Sequence, residues 1–117
     1  MKKIMVVDDD KDLLVSMKSF FTRRGYTVAV TTSCIEGLQI LHSFQPDLIF
    51  LDINVGDEDG RVMCQAIRSR AEYHHIPIVL ISANHEALQL FRDVGANAFM
   101  KKPFALSGLI NTLDDYL

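Results

Sequence analysis

Five side chains in this sequence have the chemistry to hold a divalent cation and a phosphoryl group: Asp8, Asp9, Asp52, Ser82 and Lys102. All follow short apolar runs. Ile4-Met5-Val6-Val7 ends in Asp8-Asp9, Asp47-Leu48-Ile49-Phe50-Leu51 in Asp52, and Ile78-Val79-Leu80-Ile81 in Ser82, while Ala98-Phe99-Met100 runs into Lys101-Lys102-Pro103. Ligands of open parallel sheets sit just outside the carboxyl ends of the strands, so these residues could meet at one sheet edge. Three clustered carboxylates repel one another unless a cation sits among them. Oxygen ligands with open positions favour Mg²⁺, and a carboxylate beside that ion can attack a phosphoryl donor to form an acyl phosphate. The Lys102 ammonium would balance the charge and the Ser82 hydroxyl would donate a hydrogen bond to a phosphoryl oxygen. Asp52 is the hardest to explain otherwise, because a lone aspartate ending a buried strand is costly without a partner.

The elements that must place these residues alternate along the chain. Strands are expected at Lys3 to Val7, Tyr26 to Val30, Asp47 to Leu51, Ile78 to Ile81 and Ala98 to Met100. The unbroken apolar run of the third marks it as a central strand covered on both faces. Between them, helical spacing sets Leu13, Leu14, Met17, Phe20 and Phe21 on one face, then Ile35, Leu38 and Leu41, then Val62, Met63, Ala66 and Ile67. It does the same for Ala87, Leu88, Phe91 and Val94 up to Gly95, and for Leu106, Leu109, Ile110 and Leu113. Asp10 suits the cap of the first helix, and Ser33 through Glu36 forms a capping box for the second. Gly37 weakens that helix by about 1 kcal/mol relative to alanine. Five strands and five helices give an α/β fold with helices on both faces of a parallel sheet. One common order, 2-1-3-4-5, would bring Asp8, Asp9 and Asp52 into one crevice, with Ser82 flanking it and Lys102 beyond.

At 117 residues the chain is expected to be one domain, residues 1–117. A net charge of -3 with scattered basic residues gives no general attraction to nucleic acid or anionic lipid. Cys34 and Cys64 lack metal-like spacing and read as free thiols in a reducing compartment. The apolar run after Lys2-Lys3 stops at Asp8, too short for a signal peptide, and no stretch has the length of a membrane span. The expected location is the cytoplasm.

Val7-Asp8-Asp9, Leu51-Asp52 with Asp59-Gly60 downstream, Ile81-Ser82-Ala83, Gly95-Ala96 and Lys102-Pro103-Phe104 together resemble the receiver domain of two-component response regulators, the CheY-like family. The likeness covers essentially the whole chain in the right order. It implies a flavodoxin-like doubly wound sheet of order 2-1-3-4-5, the order known for this family. It implies that Asp52 takes a phosphoryl group from a histidine kinase or histidine phosphotransfer protein. Asp8 and Asp9 match the acidic pair that binds Mg²⁺, Asp9 directly and Asp8 through water, with Asp52 and the backbone carbonyl of Asn54 as further ligands. Ser82 and Phe99 match the switch pair, Lys102 matches the phosphate-binding lysine, and the Lys102-Pro103 bond is expected to be cis. A receiver of this kind catalyses its own phosphorylation and slow autodephosphorylation, and reshapes the face made by its fourth helix, fifth strand and fifth helix. No output domain, DNA-binding segment or membrane contact is read in these residues.

The chain departs from the family pattern at a few points. Gly56 stands where a proline is common and should loosen the loop after Asp52. Ser82 replaces the more frequent threonine, Phe99 lacks the hydroxyl of the frequent tyrosine, and Ala105 supplies no side-chain cap. Simpler readings stand beside the functional ones. Asp10 reads as a helix cap, Asp57, Glu58 and Asp59 as a solvated turn-forming loop, Lys101 as surface, and His74-His75 as loop residues without ligand spacing. The alternative function is a haloacid-dehalogenase-like phosphatase using Asp8 and Asp10 as a D-x-D pair, with Asp114-Asp115 as its late acidic pair. That reading leaves Asp52 without a role. A flavodoxin-like cofactor binder would want a Gly-rich phosphate loop after the first strand, which this sequence lacks.

Overall fold

The computed structural model describes residues 1–117, apart from the side chain of Leu88. Its main elements are β1 (Lys3–Val7), α1 (Lys11–Arg23), β2 (Thr27–Thr31), α2 (Cys34–Phe44), β3 (Leu48–Asp52), α3 (Gly60–Arg68), β4 (Ile78–Ser82), α4 (His85–Leu88), β5 (Ala98–Lys101) and α5 (Leu106–Tyr116). The five strands form one parallel sheet in the order β2-β1-β3-β4-β5. This is the expected doubly wound fold. Successive strand residues point to opposite faces, so the sheet feeds two cores. Met5, Val7, Ile49, Leu51, Ile78 and Leu80 pack towards α2 and α3. Ile4, Val6, Leu48, Phe50, Val79 and Ile81 pack towards α1 and α5, where Phe21 stacks on Phe50 with ring centroids 5.4 Å apart.

Local signals start the helices. Asp10 accepts from the amides of Asp12 and Leu13, Ser33 from Glu36, Asp59 from Arg61, and Asn84 from Glu86 and Ala87. Each bond satisfies an amide that the first helical turn leaves without an intrahelical partner. Ala105 before α5 offers no such bond, as its side chain requires.

Several boundaries and faces differ from the expectation. β2 and β3 lie one residue later, and β4 and β5 each run one residue further, to Ser82 and Lys101. The sheet's hydrogen bonds continue past the apolar runs, as in the bond from the Ile53 amide to the Ile81 carbonyl at 3.0 Å. In α2 the inward residues are Cys34, Gly37 and Leu41, while Ile35 is 64% exposed and Leu38 is also exposed. The stripe is rotated towards the small residue: at Gly37 a Cβ would come within 2.9 Å of Met63 Cε and 3.3 Å of Val7 Cγ2. Gly37 thus lets the helix approach the sheet, at the propensity cost anticipated from sequence. In α3, Val62 is 62% exposed and Cys64 is buried in its place beside Met63 and Ile67. In α5, Leu106 is exposed on the first turn and Leu109 and Leu113 carry the contact. A single fourth helix was expected; α4 is one turn, followed by a 3₁₀ turn at Phe91–Val94 and a left-handed Gly95. Ala87, Phe91 and Val94 pack against the core, whereas the expectation for Leu88 lies outside the described residues.

The loop between β3 and α3 is a small hairpin, with Asn54 opposite Asp59 and Val55 opposite Glu58. Gly56 has φ of +60° and Asp57 does not. That pattern is the one of a type II′ turn, which takes glycine at its first central position. Gly56, expected to loosen this loop, therefore closes a tight turn.

The rotated face of α2 has a measurable consequence. Leu41→Ala is expected to cost about 2–5 kcal/mol, and Ile35→Ser to stay within about 0.5 kcal/mol of wild type. Urea denaturation of the two variants compares them directly.

Candidate functional site

The strand register sets the acidic residues level. Val7 pairs with Leu51, so Asp8 follows at the same height as Asp52, and Asp52 in turn pairs with Ile81, one residue before Ser82. Asp8 is fully buried, and Asp52 and Ser82 are nearly so. The Asp8 amide donates to the Thr31 carbonyl at 3.1 Å, which holds the residue in the extension of β1. Its Oδ1 accepts from the Asp10 amide at 2.9 Å. Asp52 Oδ1 accepts from the Asn54 amide at 3.2 Å. Asp9 is exposed, and its Oδ2 accepts from the Gly56 amide at 3.2 Å.

Lys102 crosses the edge from the end of β5. Its Nζ donates to Asp52 Oδ2 at 3.0 Å and lies 2.7 Å from Asp8 Oδ2. The second contact is a close ion pair, and Asp8 Oδ2 is buried with no other polar partner among the described residues. One carboxylate oxygen from each of Asp8, Asp9 and Asp52 lies within 4.8 Å of the others. Hard oxygen donors at this spacing, two of them on buried side chains that share a single ammonium, fit a divalent cation such as Mg²⁺.

Charge is stressed here. Burial pushes the Asp8 carboxyl up to about 6, against the pull of the Lys102 ammonium and the Asp10 amide, and the Asp52 charge adds to the rise. Burial also works against the charge of Lys102. Its contacts with Asp8 and Asp52 outweigh that, and its pKa stands above the ordinary lysine value.

The other expected residues fall on either side of this cluster. Ser82 lies at the same edge, and its Oγ accepts from the Asn84 amide at 3.0 Å. The Ser82 carbonyl accepts from the Lys102 amide at 2.9 Å, and the Lys102-Pro103 bond is cis. Asn54 begins the hairpin directly beyond Asp52. Phe99 is 38% exposed, with its ring 5.1 Å from that of Phe91 and 6.4 Å from that of His85. Lys101, His74 and His75 are exposed.

Asp10 is engaged by two amides of α1, and Asp114 and Asp115 are exposed on α5. The carboxylates that come together are those of Asp8, Asp9 and Asp52, without Asp10, and the D-x-D phosphatase reading is not favoured. Two residues escaped the sequence reading. Glu58, taken for solvated loop, accepts from the amides of Cys34 and Ile35. Asp59 caps α3 and pairs with Arg61, so only Asp57 of that acidic trio is a fully exposed turn residue. At Gly60 a Cβ would overlap the carbonyl oxygen of Asp52, and only glycine permits that approach.

The sequence profile of the response regulator receiver domain matches residues 4–114. The chain belongs to this family. As a receiver domain it is 32% identical over 110 residues to the response regulator MprA of Mycobacterium ulcerans, covering 92% of this chain and 47% of that protein. It is 32% identical over 109 residues to the TorCAD operon transcriptional regulatory protein TorR of Escherichia coli K12, covering 92% of this chain and 46% of that protein. The receiver chain thus spans about half the length of the curated relatives it matches. Among solved structures, the chemotaxis response regulator CheY4 of Vibrio cholerae superposes with a TM-score of 0.92 at 27% identity, covering 100% of this chain and 99% of that one.

The Asp8 carboxyl gives this receiver a pH signature. Unfolded, it titrates near 3.8 and in the fold at about 6, so the folded state holds an extra proton between those values. Its stabilising contribution is complete below the unfolded value and is lost as pH rises through the folded one. Asp8→Asn cannot ionise. In chelator, the stability of this variant relative to wild type should rise on going from pH about 4 to about 7, by on the order of 2–3 kcal/mol. Urea denaturation across that range tests it, and a pH-independent difference would contradict the assignment.

Proposed function

We propose that this receiver is the phospho-accepting switch of a two-component phosphorelay, taking a phosphoryl group onto Asp52 from a histidine kinase or histidine phosphotransfer protein. The observation that carries this reading is the convergence of Asp8, Asp9 and the Lys102 ammonium on one buried-strand aspartate. Asp8, Asp9, Asp52 and the Asn54 carbonyl would hold Mg²⁺, which when bound neutralises charge on the phosphoryl oxygens and the acceptor. An Asp52 carboxylate oxygen forms the new bond to phosphorus as the donor's nitrogen–phosphorus bond breaks, its electron pair going to the imidazole nitrogen. Lys102, now shared between Asp8 and Asp52, supplies a mobile ammonium to the transferred group. Among the described hydrogen bonds the Ser82 hydroxyl accepts without donating, so its proton is free for a phosphoryl oxygen. Slow hydrolysis of the same acyl phosphate resets the domain.

The signal would pass from Ser82 to Phe99. As Ser82 is drawn to the phosphoryl group, Phe99 leaves its exposed position beside Phe91 and His85 and turns inward, reshaping the face of α4, β5 and α5. This is a population shift driven by contacts made only in the phosphorylated state. No helix among the described residues is long and apolar enough to cross a membrane. The proposed location is the cytoplasm, and the output is delivered through protein contact and not by nucleic-acid binding of this domain.

Acetyl phosphate with Mg²⁺ should add one phosphoryl group to the wild type and none to Asp52→Asn, read by intact mass. The same addition to Asp52→Asn would sink the acceptor assignment. Lys102→Ala should still accept phosphate while the resonances around Phe99 no longer shift on phosphorylation. A wild-type shift in that variant would refute the role given to the ammonium.

A further inference from the structure

The hairpin after Asp52 is fastened to the rest of the molecule by contacts that its local sequence does not announce. At its turn, the Gly56 amide donates to Asp9 Oδ2 at 3.2 Å, a bond that a proline at this position could not make. At its return, the Gly60 amide donates to the Ile53 carbonyl at 2.7 Å. Between them, Glu58 reaches to α2 and accepts at both carboxylate oxygens, from the Cys34 amide at 2.8 Å and the Ile35 amide at 3.1 Å. Its negative charge meets the positive end of the helix dipole there. α2 has its own cap, since Ser33 Oγ accepts from the Glu36 amide at 3.2 Å. Glu58 thus does what the local cap does not, which is to join the helix to the hairpin.

We propose that Glu58 is a positioning residue for cation binding, holding the hairpin on α2 so that the Asn54 carbonyl and the Asp9 carboxylate keep a fixed spacing. The proposal rests on the cation and phosphoryl reading given above. Glu58 pairs with Val55, next to Asn54 on the other strand, so the tie acts one residue from the carbonyl ligand. Two pairs of residues cannot hold a hairpin by themselves. Without the tie, the hairpin retains the buried Val55 side chain, the Gly56–Asp9 bond and the Gly60–Ile53 bond. A divalent ion would then have to order the loop as it binds.

Isothermal titration with Mg²⁺ alone tests this on the full chain. Glu58→Ala should weaken Mg²⁺ binding about tenfold, the scale on which ligand-orienting partners act. Glu58→Gln, which keeps one acceptor oxygen, should lie between that variant and wild type. Ser33→Ala removes the other cap of α2 and should bind Mg²⁺ like wild type. Wild-type affinity in Glu58→Ala, or an equal loss in Ser33→Ala, overturns the proposal. Coupling is reciprocal, so Mg²⁺ should also slow amide hydrogen exchange at Cys34 and Ile35 in the wild type. Unchanged exchange there overturns the proposal even if Glu58→Ala does not fold. A wild type that binds no Mg²⁺ would sink the reading of the site itself, whereas normal wild-type binding with an indifferent Glu58→Ala sinks only the tie.

Discussion

Charge compensation at the carboxyl edge of the sheet is the constraint on which the site depends. Asp8 and Asp52 lie on adjacent strands with almost no access to solvent, and their mutual repulsion has to be met from inside the protein. Lys102 meets it from β5, on the far side of β4. One ammonium therefore bridges the ends of three strands, and the two carboxylates hold it charged despite its own burial. Breaking such a pair leaves an uncompensated buried charge, which is far worse than never burying either partner. The candidate site and the architecture thus share the same three side chains. One ammonium faces two carboxylates, so that compensation is incomplete.

The loop after Asp52 shows how backbone geometry serves the same edge. Gly60 allows the start of α3 to press against the carbonyl of Asp52, and Gly56 allows the chain to reverse within two residues. Together they fold the segment back over the acidic cluster and aim an amide at Asp9. Neither glycine bears a functional group, yet both decide where functional groups can be.

What could be read from sequence follows from range. The alternation of apolar runs with helical stripes carried the fold class, and the runs ending in Asp8, Asp52 and Ser82 carried the site, because strand ends in a parallel sheet converge whatever lies between them. The capping roles of Asp10 and Ser33 were legible for a similar reason, as their partners are two or three residues away. The inward faces of α2 and α3 were not. Ile35, Leu38 and Val62 fit an apolar stripe, but Gly37 faces the core where Met63 and Val7 leave little room for a side chain, and Cys64 is buried in α3 in place of Val62. Glu58 was misread because its partners stand more than twenty residues earlier, and a pairing at that distance leaves no local pattern.

Both cysteines sit among these tightly packed elements, Cys34 at the start of α2 and Cys64 within α3. Burial pushes each thiol up to about 11, and for Cys34 the charges of Glu58, Asp59 and Asp52 add to the effect. At neutral pH the thiolate is then roughly one molecule in ten thousand, and the thiolate is the form that reacts with electrophiles. Buried and held protonated, the native sulfurs are expected to react slowly with maleimide reagents in the folded protein. A spectroscopic label introduced on the surface through a single added cysteine would report from its own position, against little background from the core.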